Sequence, residues 1–304
     1  MYRNRRLTWW IGLLIAVFVL TAFAPLRGET APVAPASGEM KLQVQPDFFA
    51  DRNEGYVLLW TKVKLLAMEM GIPVLEAKNP FKEGLRKIVY LDTRKGELTD
   101  KRYIVRERVK IKDGNPADAV ELMLRYRVTA GEAADSEAVK TAPGFKAKIS
   151  HEDDIAGFVG GLVGNNVVEV SVSHAIKDIP AADLENKTLG NYARYFPTLA
   201  NLGLPLTEQL GVSKGITVRE FKVAPAELDF GQGMKGEASI SLWYDYSTGK
   251  AIAAEFSFEC GRGPAAPAAA VAKTEAFFNA LQDRLSDILL PGGSKTQLVT
   301  GEAK

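Results

Sequence analysis

Arg106, Arg108 and Lys110 recur at every second residue of the run 103–111, and Glu121, Met123, Arg125 and Arg127 do the same in 121–128. Strand side chains alternate between two faces. Each set therefore shares one face of its strand, and Leu122, Leu124 and Tyr126 form the apolar opposite face. A third run, 87–93, begins at Lys87, and turn chemistry separates the three: Arg94-Lys95-Gly96, then Lys112-Asp113-Gly114-Asn115-Pro116. An isolated Arg-x-Arg reads as solvated sheet surface. Recurrence on neighbouring strands reads as a site for an anion, since guanidinium forks grip phosphate bidentately.

Composition narrows the chemistry further. The chain is 46% hydrophobic and 25% charged, which is enough apolar material for a core. Its net charge of +1 drops by three, to −2, without residues 1–24, which carry Arg3, Arg5 and Arg6 and no acid. A slightly acidic protein is a poor non-specific nucleic-acid binder, so the basic face must be local. The lone Cys260 forbids an internal disulfide. His151 and His174 have no spaced partners for zinc, and no nucleophile elbow, Walker loop or dinucleotide fingerprint occurs.

The N-terminus places arginines before an apolar run, 9–24, that ends in Ala22-Phe23-Ala24, the arrangement of an export signal. Pro25 would hinder cleavage there, which leaves Ala34-Pro35-Ala36 as a second site and an uncleaved anchor as the alternative. The expected location is periplasmic or extracellular. Residues 25–38 form a Pro/Ala-rich linker.

Beyond the linker, residues 39–45 alternate as a half-buried strand, and 48–70 repeat apolar residues at helical spacing up to Gly71 and Pro73. After the basic strands, 129–142 reads as a loop and 145–149 as a short strand. His151-Glu152-Asp153-Asp154 reads as leading into a helix at 155–162, and 167–172 as a strand. Strands follow at 217–223, 238–246 and 251–260, the last two joined by a hairpin turn. An amphipathic helix spans 274–290. Many antiparallel strands with helices at the start, middle and end make an α+β fold.

The order of motifs resembles the CYTH family, the triphosphate tunnel metalloenzymes. It runs Arg86-Lys87-Ile88-Val89-Tyr90-Leu91-Asp92-Thr93, then Val105-Arg106-Glu107-Arg108, then Glu121-Leu122-Met123-Leu124-Arg125-Tyr126-Arg127. The likeness covers 39–127 clearly and 217–296 loosely. It implies a CYTH-like antiparallel β-tunnel of about eight strands over 39–296, with 129–216 as an embedded elaboration and 297–304 as a tail. By resemblance, Lys41, Lys87, Arg106, Arg108, Arg125 and Arg127 bind phosphate within the tunnel, and Lys295 matches a lysine near the family's C-terminus. Glu39, Glu255 and Glu259 are the implied ligands of Mg²⁺ or Mn²⁺, although Ser37 stands where the family has a further glutamate.

The expected function is an exported, metal-dependent phosphohydrolase acting on inorganic or organic triphosphate. The alternative is a non-catalytic module that holds a phosphate-rich or other polyanionic ligand, and Ser37 favours it. A scaffold role would follow if the basic face were capped by the protein's own acids. The membrane is expected to matter only through residues 9–24, if these are uncleaved.

Overall fold

The computed structural model describes residues 37–129, 132 and 134–300, so the expected export signal and most of the expected linker lie outside the described residues. Within these, β1 (Ser37–Val44) is followed by a short 3-10 turn and α1 (Arg52–Glu69), then β2 (Val74–Glu76) and β3 (Gly84–Thr93). Next come α2 (Glu97–Asp100), β4 (Tyr103–Lys112), β5 (Asn115–Thr129), β6 (Ala147–Ala156) and β7 (Val167–Pro180). The chain ends with α3 (Leu189–Ala193), β8 (Leu210–Val223), β9 (Ala226–Gly231), β10 (Met234–Asp245), β11 (Ala251–Gly261), α4 (Ala268–Arg284) and α5 (Lys295–Thr300).

The strands follow the order β11-β1-β6-β7-β5-β4-β3-β8-β10, and β10 pairs again with β11, which closes a nine-strand barrel. β9 and β2 extend from β10 outside that ring. This is the flanked β-tunnel of the expected α+β class, with one strand more than the expected eight. It also contains one parallel pair, β1 with β6. The additional contribution comes from 129–216, which is only partly an elaboration. β6 and β7 are staves of the barrel, while 181–209 forms a cover outside it.

Two apolar layers fix which face looks inward. Met40, Leu42, Ile240, Phe256 and Phe258 pack outward under α1 and α4. Val105, Leu122, Leu124 and Val172 pack outward against Leu189, Tyr192 and Phe196 of the cover. The intervening residues of each strand, which carry most of the charge, therefore face the lumen. One end of the lumen is filled by Ile88, Tyr90, Ile104, Val218, Trp243, Ala253 and, from α5, Val299. The other end is open.

Several local differences from the sequence reading have simple causes. Residues 151–156 continue β6 rather than starting a helix, because β1 and β7 supply partners on both edges. The expected helix at 274–290 begins earlier, at Ala268, and ends at Arg284. Asp92 caps α2 by accepting from the backbone of Leu98 at 2.9 Å and Thr99 at 3.1 Å, and Gly96, at φ 78°, makes the turn between them. No helix among the described residues is long and apolar enough to cross a membrane.

Candidate anion site in the tunnel

The inward cations differ in how far they are buried. Side-chain exposure grades them, with Arg127 at 6% and Arg125 at 14% lying deeper than Arg106 at 17% and Arg108 at 26%, although Arg106 and Arg108 pair across β3 with Tyr90 and Ile88 of the filled end. Arg86 faces Lys110 at the same outer level.

At the deep level the cations surround Asp154, a residue that is 2% exposed. Lys41 hydrogen-bonds Asp154 Oδ1 and reaches Glu39 Oε2 at 2.9 Å. Arg125 places one nitrogen 3.0 Å from Asp154 Oδ2 and another 3.0 Å from Glu152. Arg127 lies 3.5 Å from the same Asp154 oxygen and 3.3 Å from Glu169, and Ser171 Oγ donates to Asp154 Oδ2 at 3.4 Å. Burial works against the charged form of Asp154, but Lys41, then Arg125 and Arg127, override it and hold the carboxyl far below the usual range. Burial likewise opposes the charge on Lys41, and Asp154 with Glu39 holds it firmly protonated.

The outer level is less balanced. Arg106 Nη2, at 3.2 Å, and Arg108 Nη2, at 2.5 Å, converge on one oxygen, Glu121 Oε1. Burial and then Arg108 lower the pKa of Arg106, and its Nε is buried with no hydrogen-bond partner among the described residues. Arg86 meets Glu220 at 3.1 Å. Burial and neighbouring Lys295 lower the pKa of Lys222 on the same wall. Arg86, Arg108, Lys110, Glu121, Lys177 and Asp178 line a cavity of about 360 Å³, within the range of small-molecule pockets. A larger cleft of about 640 Å³ lies between the ends of β3 and β8. It contains none of the expected site residues, and its cations Arg94, Lys95 and Lys214 are exposed.

Of the expected phosphate ligands, Lys41, Arg106, Arg108, Arg125, Arg127 and Lys295 share the lumen, and Lys87 does not. Lys87 pairs with Val109 on the outer face and sits 5.6 Å from the Tyr246 ring, while its neighbour Arg86 points inward. Strand period puts Arg86 on the face of Ile88 and Tyr90, which look into the lumen.

Lys295 reaches in from α5 and is engaged there. It lies 2.9 Å from Glu255, donates to Ser241 Oγ at 2.7 Å and stands 5.1 Å from the Trp243 ring. Asp154, Glu152, Lys177 and Glu220 escaped the sequence reading altogether. Glu152 and Asp154 alternate with Lys148 and Ser150 at strand period, but Asp153 and His151 make the opposite face polar too, and so hide the strand.

The expected metal ligands do not gather into one centre. Glu255 lies two residues deeper than Ser257 and accepts from Gln43 at 2.9 Å in addition to its Lys295 pair. Glu39 accepts from Ser257 at 2.9 Å and pairs with Lys41, while Glu259 sits across from it in the β1–β11 register. Burial, then Glu152 and Glu39, raise the pKa of Glu259. No group of three His, Cys, Asp or Glu side chains that could hold a metal occurs among the described residues. The donor set therefore does not fit Mg²⁺ or Mn²⁺ as a three-carboxylate site.

No protein-family model matches the chain, and no curated protein does. Solved structures do. One is a Hippeastrum protein described as a candidate adenylyl cyclase with a dominant triphosphatase activity. It is 12% identical, 88% of this chain and 97% of that one are covered, and the TM-score is 0.41. A candidate adenylate cyclase from Bacillus halodurans is 13% identical, over 87% of this chain and 97% of that one, with a TM-score of 0.38. Another from Vibrio parahaemolyticus is 10% identical, over 88% and 99%, with a TM-score of 0.38. At such identities and scores these are similarities only, and no residue role follows from them.

Proposed function

We propose that the open end of the tunnel binds a triphosphate-class anion, in a non-catalytic module of CYTH type. The observation that carries this reading is the unequal charge at that end. Arg106 and Arg108 share a single carboxylate oxygen of Glu121, and Arg86, Lys110 and Lys177 join Arg108 and Glu121 around the cavity. An incoming phosphate there gains charge-assisted hydrogen bonds while displacing little of the protein's own pairing. The order of basic motifs on β3, β4 and β5 supports the same ligand class, and the N-terminal pattern supports a location outside the cytoplasm.

Metal-dependent hydrolysis of the bound triphosphate is the second reading. It is favoured by Glu39 and Glu259, which face each other near the same opening. The engagement of Glu255 by Lys295 weighs against it.

Titration calorimetry of the full-length protein with inorganic triphosphate tests the first reading. Arg108→Ala removes a charged hydrogen-bond donor worth about 1.5–3 kcal/mol, a loss of about tenfold or more in affinity. Equal binding by the variant, or none by the wild type, would contradict the proposal. Phosphate release with and without Mg²⁺ or Mn²⁺ decides the second reading.

A further inference from the structure

The cations of the tunnel differ in how completely the protein has already satisfied them. Both oxygens of Asp154 are used: Oδ1 by Lys41, and Oδ2 by Arg125, Arg127 and Ser171. The second terminal nitrogen of Arg125 is turned to Glu152 and that of Arg127 to Glu169, although Arg125 Nε, like Arg106 Nε, is buried without a hydrogen-bond partner among the described residues. A carboxylate buried among three cations makes the contacts that a phosphoryl group would make in its place. An anion entering that level would have to displace Asp154 from all three, then leave it buried and unpaired, which is far costlier than displacing one shared oxygen of Glu121.

We infer that Asp154 is a built-in anion of the deep tunnel and a specificity-determining residue, one that confines the ligand to the outer cations Arg86, Arg106, Arg108, Lys110 and Lys177. This rests on the anion-binding reading above. It deepens that reading by excluding a class of ligand, the compact anion taken wholly into the lumen. The class it selects is a condensed phosphate, or the phosphorylated end of a larger molecule, with part of its body left outside the opening. β6 is the element responsible. Its parallel pairing with β1 sets Asp154 opposite Glu39, and its antiparallel pairing with β7 sets Asp154 opposite Glu169, so the carboxylate is delivered between Lys41 on one side and Arg125 and Arg127 on the other.

The test is calorimetric titration of inorganic triphosphate into the full-length wild type and the variants Asp154→Asn, Glu152→Gln and Asp154→Asn/Arg125→Met. Removing the Asp154 charge is expected to add a second equivalent of bound anion or to tighten binding at least tenfold, and Arg125→Met is expected to abolish that gain. Glu152→Gln leaves Asp154 in place and frees one nitrogen of Arg125, so a smaller gain in the same direction is expected. It decides the matter if Asp154→Asn does not fold. Wild-type affinity and stoichiometry in both single variants, with binding still lost in Arg108→Ala, would overturn this inference and leave the outer site standing. Binding that appears only once Asp154 is neutralised, and depends on Arg125, would uphold the inference and remove the outer site. No binding by any form would overturn both.

Discussion

Asp154 concentrates the residue-scale consequences, since Lys41, Arg125 and Arg127 all depend on it. Breaking a buried ion pair from one side costs about 3–5 kcal/mol, because the other side is left uncompensated. Asp154→Asn is therefore expected to lower the unfolding free energy by about that amount in a urea titration, and an unchanged midpoint would contradict the network. The pH dependence has the same origin. Burial opposes the charge of Glu39, and Lys41 overrides it, leaving the pKa at about 2 against an ordinary 4.5. Burial also opposes the charge of Glu220, and Lys295 and Arg86 override it to about 2. A lowered folded-state pKa contributes stability that is present above about pH 4.5 and is lost as the pH falls towards 2. Glu259 and Asp153, both raised, work in the opposite sense, against the lowered Asp154, Glu39, Glu121 and Glu220. The melting temperature is expected to fall continuously from pH 5 to pH 2.5, and a flat profile there would contradict these assignments. At this scale the basic half of the site was legible and the acidic half was not. Period two alone puts Arg106, Arg108, Arg125 and Arg127 on common faces. The adjacent pair Arg86-Lys87 offers a cation to either face, and only the register with Lys110 and Val109 decides between them.

At the scale of elements, α5 is the one whose role was least visible. Its run Lys295–Thr300 looks like a polar tail, yet Val299 completes the inner apolar cluster and Lys295 neutralises Glu255 from inside the barrel. Such a contact pairs β11 with a helix some forty residues later, and no local pattern announces it. Lys295→Met is expected to destabilise the fold by about 3–5 kcal/mol by stranding Glu255, which is 2% exposed. Adding Glu255→Gln should restore much of that loss, because the charge is then gone from both sides. A double variant no more stable than Lys295→Met would show that packing around Trp243, not charge, accounts for the cost. The second half of β6, from His151, was missed for the opposite reason, since its strand period is masked by polar residues on both faces. Asp153 is drawn outward to Arg262, at 2.7 Å, while Asp154 turns inward.

For the whole molecule, alternation and turn residues were enough to predict an α+β fold of many antiparallel strands with helices, and the resemblance of the basic motifs added the tunnel. Closure by nine strands and the parallel β1–β6 pair depend on which edges meet, and that is a property of the assembled sheet. The lumen that results is close to charge-balanced in its depth and basic along the wall of its opening that carries Arg86, Arg108, Lys110 and Lys177, which explains how a chain of near-neutral net charge can present a local anion site. Binding at partly exposed cations is screened by salt, so affinity for triphosphate is expected to fall steeply between low ionic strength and about 0.5 M salt. Affinity independent of salt would place the ligand elsewhere. The most direct measurement is a crystal structure of the full-length protein with inorganic triphosphate. Phosphoryl oxygens are expected within hydrogen-bonding distance of Arg106, Arg108 and Lys110, with Asp154 still held by Lys41, Arg125 and Arg127. A triphosphate lying against Lys41 and Arg125 with Asp154 displaced, or one bound outside the tunnel, would contradict it.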